Sequence, residues 1–238
     1  MSDSPELAKG SIKKRLSDVK DRIKKAAIAC GREPEEIMLV AVSKTAPVDA
    51  LKEAIEAGVT VFGESYIQEA RAKFTALSSC SVSWHFIGHL QTNKAKYAVS
   101  LFNLIQTVDT LKLARELNQQ AKKINTIQPI LVQVNIGRES TKSGVVAKDT
   151  LSLIKDISSL ENLSVKGLMT MPPFFDNPEK VRPYFSALRE LRDHIDKKSI
   201  PNVSMDELSM GMTGDFEIAI EEGATMVRVG TAIFGKEN

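Results

Sequence analysis

The feature that most constrains this chain is a regular alternation. Eight short, continuously apolar runs recur along it, and segments with helical spacing separate them. The runs span 38–44, 60–64, 83–88, 103–108, 129–136, 165–170, 207–211 and 225–230. Between them lie helix candidates at about 47–57, 66–77, 92–100, 110–124, 147–160, 178–197 and 214–222. Ile130, Leu131 and Val132 are apolar at successive positions, as strands are when a sheet is covered on both faces. Leu111, Ala114, Leu117 and Ala121 instead repeat at helical spacing. Eight strands alternating with helices in 238 residues predict an α/β fold, a single (β/α)8 TIM barrel forming one domain over 1–238. Seven intervening helices leave one gap in the outer ring. An amphipathic helix predicted over 5–30, with Ile12, Leu16, Val19, Ile23 and Ala26 on one face, would fill it. A doubly wound open sheet is the rival, but no Gly-x-Gly-x-x-Gly turn follows the first strand.

Composition narrows the class of partner. Lysine and arginine number 32 against 30 acidic residues, a net charge of +2, which argues against nucleic-acid or membrane-surface binding. No apolar run is long enough to span a bilayer, and the N-terminus lacks an apolar signal core. Cys30 and Cys80 have no metal-type spacing and read as free thiols of a reducing compartment. The expectation is a cytoplasmic protein.

Parallel barrel strands present their C-terminal ends on one face, so polar residues there are candidate neighbours. Lys44 follows the first strand, and Glu64 and Ser65 follow the second. His85, Gln106, Asn135, Thr170, Ser209 and Arg228 come from later ones. Lys44 taken alone also reads as a solvated or ion-paired lysine. Ser209-Met210-Gly211-Met212-Thr213-Gly214-Asp215 and Gly230-Thr231 follow the last two strands. Small residues there let backbone N–H groups approach an anion, and barrels commonly bind phosphate between these loops. The same glycines also suit tight turns, and Thr213 or Asp215 also suits a helix cap. A lysine facing a phosphate site suggests either a class I aldolase or pyridoxal phosphate held as a lysine imine. Arg228 bears on the choice, because an arginine donating to a pyridine nitrogen keeps it unprotonated and weakens the ring as an electron sink. A phosphate or carboxylate partner is its other reading.

The motifs resemble the pyridoxal phosphate homeostasis proteins, which share the barrel of the alanine racemase N-terminal domain. The matching segments include Val42-Ser43-Lys44-Thr45, Phe62-Gly63-Glu64, Gln68-Glu69 and Trp84-His85-Phe86-Ile87-Gly88. They continue through Val134-Asn135-Ile136, Gly167-Leu168-Met169, Leu208-Ser209-Met210-Gly211-Met212 and Arg228-Val229-Gly230-Thr231, in order over nearly the whole chain. The resemblance implies that Lys44 carries pyridoxal 5'-phosphate as an internal aldimine and that Arg228 faces the pyridine nitrogen. It implies a phosphate cradle of Ser209, Gly230 and Thr231 with backbone of Met212 nearby. Ser65, His85, Asn135 and Met169 would be further cofactor contacts. Ser65 departs from the asparagine common after Gly-Glu in the family, and its shorter side chain reaches less far. Lys142 matches a second family lysine, and a solvated loop lysine is its alternative. The resemblance implies a non-catalytic carrier in vitamin B6 and amino-acid homeostasis, with pyridoxal phosphate-dependent apo-enzymes as candidate recipients. Amino-acid racemisation is the enzymatic alternative and needs a second base. The related racemases take theirs, a tyrosine, from a C-terminal domain for which these eight strands leave no room. His85 is the internal candidate. The missing second domain favours a monomer.

Overall fold

The computed structural model describes residues 10–137, 139 and 142–235. Residues 5–9 of the expected first helix, and both ends of the expected 1–238 domain, lie outside the described residues. The strands are β1 (Met38–Val42), β2 (Val61–Glu64), β3 (Ser83–Phe86), β4 (Leu104–Val108), β5 (Gln128–Asn135), β6 (Val145–Val146), β7 (Leu163–Met169), β8 (Val203–Ser209) and β9 (Met226–Val229). The helices are α1 (Ile12–Ala29), α2 (Val48–Glu56), α3 (Ile67–Ala76), α4 (Ala95–Leu101), α5 (Leu111–Lys123), α6 (Ala147–Ser158), α7 (Arg182–Asp196), α8 (Phe216–Glu221) and α9 (Thr231–Phe234).

Eight of these strands pair in the order β4-β3-β2-β1-β9-β8-β7-β5, and β5 pairs back to β4, closing a parallel barrel. The two-residue β6 pairs with β5 outside that ring, through Val134↔Val145, and was too short to show as an apolar run. The expected (β/α)8 barrel is therefore the fold. α1 starts behind Ser11, whose side chain accepts from the Lys14 N–H, as an N-cap should. Its buried stripe packs on α2, α8 and α9, which is the gap expected in the outer ring. Among the described residues no helix is long and apolar enough to cross a membrane.

Strand alternation sorts side chains into two layers. Val40, Val61, Leu104, Leu131, Met169 and Met226 pack together inside the barrel. Their chain neighbours Ala41, Phe62, Ile105, Ile130, Leu168 and Val227 pack outward under the helices. Polar side chains enter the interior at the same parity, with His85, Gln106, Ser209 and Arg228 all buried.

Boundaries differ from expectation in an instructive way. β8 begins at Val203 rather than 207: Ser204 and Asp206 interrupt its apolar pattern, while Met205 between them packs outward under the helices. The pairing of β7 with β8 shifts register between Val165 and Gly167. Gly167 sits at φ 154 there, and a Cβ would lie 1.9 Å from Glu207 O, so only glycine fits. The predicted helix 178–197 is a 3-10 turn over Pro178–Val181 followed by α7, with Pro183 in the first turn. Several strands end early. β1 stops at Val42, which leaves Ser43 and Lys44 in a turn.

Candidate functional site

The Lys44 turn is held from beneath. Continuing the β1 alternation, Val42 and Lys44 face the barrel mouth and Ser43 faces outward. Outside the barrel Ser43 Oγ donates to Glu64 Oε1 at 2.6 Å. Lys73 of α3 reaches in and donates to Glu64 Oε1 at 2.8 Å, to Glu69 Oε1 at 2.6 Å and to the Ser43 carbonyl. Glu69 Oε1 also accepts the Thr45 N–H at 2.6 Å. Lys73 and Glu64 are buried. Burial raises the Glu64 carboxyl above its ordinary value, against the lowering effects of Lys73 and Ser43, and Glu64 Oε2 has no hydrogen-bond partner. Thr45 has φ 64, a left-handed conformation that a β-branched residue adopts only where its surroundings impose it.

A second polar array crosses the barrel interior. Arg228 donates to Ser209 Oγ and, at 2.7 Å, to Thr170 O. Ser209 Oγ donates to Gln106 Oε1 at 2.6 Å, and Gln106 Nε2 lies 3.0 Å from His85 Nδ1. With the Gln106 oxygen committed to Ser209, its amide donates to His85, so His85 carries its proton on Nε2. The array thus runs in one direction, from Arg228 to His85. Burial pulls His85 down to about 4 and Arg228 down to about 10; Asp215 partly offsets the latter. Among the described residues no carboxylate pairs with the Arg228 guanidinium.

At the C-terminal mouth of the barrel lies a cavity of about 520 Å³. Val42, Ile87, Met171, Phe174, Phe175 and Phe234 supply apolar wall, and Lys44, Asp215 and Arg228 supply charge. Thr213 and Thr231, from the loops after β8 and β9, bring their hydroxyls to 3.1 Å of each other. Asp215 Oδ1 accepts the Met212 N–H at 2.6 Å and tightens the first of these loops. Burial raises the Asp215 carboxyl.

Of the residues singled out from the sequence, Lys44, Ser65, Met212, Arg228, Gly230 and Thr231 line this cavity together. The other four sit elsewhere. Ser209 and His85 belong to the interior array, behind Arg228. Met169 packs in the interior apolar layer. Asn135 closes the loop after β5, donating to Glu139 O and Lys142 O and accepting the Glu139 N–H. Lys142 is engaged too, donating to Pro172 O at 2.8 Å and pairing with Glu139 at 2.7 Å. It therefore braces the loop that carries Met171 and Phe174.

Comparison with known proteins gives the family and the fold. The family model described as alanine racemase, N-terminal domain, matches residues 15–238. The pyridoxal phosphate homeostasis protein of Aquifex aeolicus is 46% identical over 222 residues, covering 93% of this chain and 96% of that one. This chain belongs to the pyridoxal phosphate homeostasis protein family. The family member of Escherichia coli K12 is 41% identical over 227 residues, covering 94% of this chain and 96% of its own length. PipY of Synechococcus elongatus, solved with PLP bound, superposes with a TM-score of 0.83 at 32% identity, covering 94% of this chain and 100% of PipY. An alanine racemase from Clostridium difficile shares the fold at a TM-score of 0.71 and 15% identity; the match covers 95% of this chain and 56% of the racemase.

Sequence reasoning missed Lys73, which braces the Lys44 turn from α3. Lys73 lies on the buried stripe of α3 with Ile67, Ala70 and Leu77, a position where a lysine needs carboxylates beside it. Glu69 one turn earlier was the available signal. Gln106, expected among the strand-end residues, is instead wholly buried within β4, where its amide accepts from the Ser209 hydroxyl and donates to the His85 imidazole.

Proposed function

We propose that this protein binds pyridoxal 5'-phosphate through an imine to Lys44 and holds it in reserve without catalysis, serving vitamin B6 and amino-acid homeostasis. One observation carries the reading: an amine, Lys44, and a buried guanidinium, Arg228, that no carboxylate among the described residues pairs with, line one cavity. The residues fit the cofactor. A cavity of about 520 Å³ is of small-molecule size. Its apolar wall suits a pyridine ring, and the Thr213 and Thr231 hydroxyls with the Met212 and Gly230 backbone suit a phosphate. Arg228 suits the ring nitrogen, which would accept its N–H. Pyridoxal phosphate supplies an aldehyde that condenses with an amine and a ring that can act as an electron sink.

Two features favour holding over turnover. A guanidinium beside the ring nitrogen keeps that nitrogen unprotonated, because two positive charges in hydrogen-bond contact repel. Racemisation also needs a base on each face of the α-carbon. No tyrosine lines the cavity among the described residues, and His85 is buried behind Arg228 with its Nδ1 engaged. Asp215, the carboxylate in the wall, is committed to the Met212 N–H. Monomeric action and hand-over of the cofactor to apo-enzymes complete the proposal.

The test is spectroscopic. Protein loaded with pyridoxal phosphate should be yellow, and borohydride should fix the cofactor onto the peptide carrying Lys44. Lys44→Ala should lose the adduct completely and keep its melting temperature within a few degrees. A colourless wild type that cannot be loaded overturns the binding reading. Loss of α-deuterium from amino acids at catalytic rates overturns the non-catalytic one.

A further inference from the structure

The proposed lysine has a peptide group on either side, and both are tied to the same buried ion cluster. Lys73 Nζ donates to the carbonyl of Ser43, the residue before Lys44. Glu69 Oε1 accepts the N–H of Thr45, the residue after it, at 2.6 Å. Lys73 and Glu69 are themselves paired at 2.6 Å, one helical turn apart on α3. Glu64 at the end of β2 anchors Lys73 from the opposite side at 2.8 Å. The turn they grip contains Thr45 at φ 64, a conformation that needs outside support. None of Glu64, Glu69 and Lys73 lines the cavity.

We infer that Glu69 and Lys73 are positioning residues for Lys44. They clamp the Ser43–Thr45 turn so that the lysine amine is presented to the cavity rather than left on a loop free to rotate. The inference rests on the proposed imine at Lys44 and adds to it the device that aims the amine. In that step the neutral amine would add to the aldehyde carbon, and the aldehyde oxygen would leave as water with the two protons that the nitrogen gives up, so misaiming the nitrogen slows addition without removing the group.

Lys73→Met would strand two carboxylates and risks unfolding the protein. Glu69 is the better handle, since 27% of its side chain is exposed and its loss leaves the buried Lys73–Glu64 pair intact. The full-length chain, freed of cofactor, is titrated with pyridoxal phosphate and read by absorbance and borohydride trapping. Exchange of the Thr45 amide is followed in the unliganded protein. Glu69→Ala should form the adduct on the order of tenfold more slowly and weakly than wild type. Its Thr45 amide should exchange faster, with cooperative melting retained. Glu69→Gln, which keeps an oxygen for the Thr45 N–H, should restore most of both. An unloadable wild type overturns the imine reading itself. A loadable wild type matched by Glu69→Ala overturns the positioning role alone. So does equal impairment of Glu69→Ala and Glu69→Gln, or a Glu69→Ala protein that no longer melts cooperatively, since the residue would then hold the fold rather than the turn.

Discussion

Two buried polar arrays lie on opposite faces of the same sheet, and they differ in how their charges are answered. The outer one, Glu64, Lys73 and Glu69 with Ser43, is closed. Its ammonium meets two carboxylates and a carbonyl within one cluster, between the strands and α3. The inner one, Arg228, Ser209, Gln106 and His85, is open-ended. Its cation donates to a hydroxyl and a carbonyl, and the rest of the array is neutral dipoles. A closed cluster spends its charge on the backbone and so fixes a turn. An open-ended one leaves a cation oriented at the cavity with capacity for a further acceptor. The barrel thus separates the job of placing Lys44 from the job of presenting Arg228.

The largest break should come from the closed array. Lys73→Met removes the cation that pairs with two carboxylates, one of them fully buried. Breaking a buried pair by deleting one partner costs about 3–5 kcal/mol, and urea unfolding should show a loss of that size. A loss below about 1 kcal/mol would mean that the cluster is solvated and not the staple described.

The open array should instead announce itself through pH. Burial pulls His85 from its ordinary 6.5 to about 4. The unfolded chain then binds a proton that the native state refuses, so stability is full above pH 6.5 and falls as pH drops towards 4. The shift corresponds to roughly 3 kcal/mol over that window. In His85→Gln this component should vanish, and the difference between the two stability–pH curves isolates it from carboxylates titrating nearby. Parallel curves would place a water or a charge beside His85.

Much of the architecture was legible in sequence because barrel strands are covered on both faces and so read as unbroken apolar runs. The runs at 38–44 and 129–136 fall almost on β1 and β5. A strand is less legible where it carries polar residues, as at Ser204 and Asp206 in β8, or is two residues long, as in β6. The cavity was legible through strand ends, and Lys44, Arg228, Gly230 and Thr231 do meet there. Ser209 was placed beside them on the same rule. Its parity turns it into the interior, where Arg228 and Gln106 take its hydroxyl. Lys73 escaped because strand-end reasoning looks only at one end of the barrel, whereas this residue acts from a helix through backbone atoms.

Arg228→Met separates the arrays by ligand rather than by stability. It deletes a cation that no carboxylate among the described residues pairs with and replaces it with an apolar chain of similar length. The relief of a buried charge is set against the Ser209 hydroxyl and the Thr170 carbonyl, which lose their donor, so unfolding should move by about 1–2 kcal/mol. Affinity for pyridoxal phosphate should fall on the order of tenfold, the loss of one hydrogen bond from a charged donor. Unchanged affinity would mean that the ring nitrogen is not its partner.

The smallest contrast is the most specific, because a serine donates at 2.6 Å in each array. Ser43→Ala removes a hydroxyl from Glu64 and leaves that carboxylate to Lys73 alone. Ser209→Ala removes the link between Arg228 and Gln106, stranding one guanidinium N–H and one amide oxygen. Each should cost about 1–2 kcal/mol in urea unfolding, the range for buried hydrogen bonds with a charged member. Stability therefore does not tell them apart, and ligand binding does. The Ser43 carbonyl still meets Lys73 in Ser43→Ala, so the turn and the rate of adduct formation should stay near wild type. Arg228 loses one of its two side-chain anchors in Ser209→Ala, and affinity for pyridoxal phosphate should drop a few-fold. If both variants bind equally well, Thr170 O alone suffices to aim the guanidinium, and the interior array serves packing rather than the cavity.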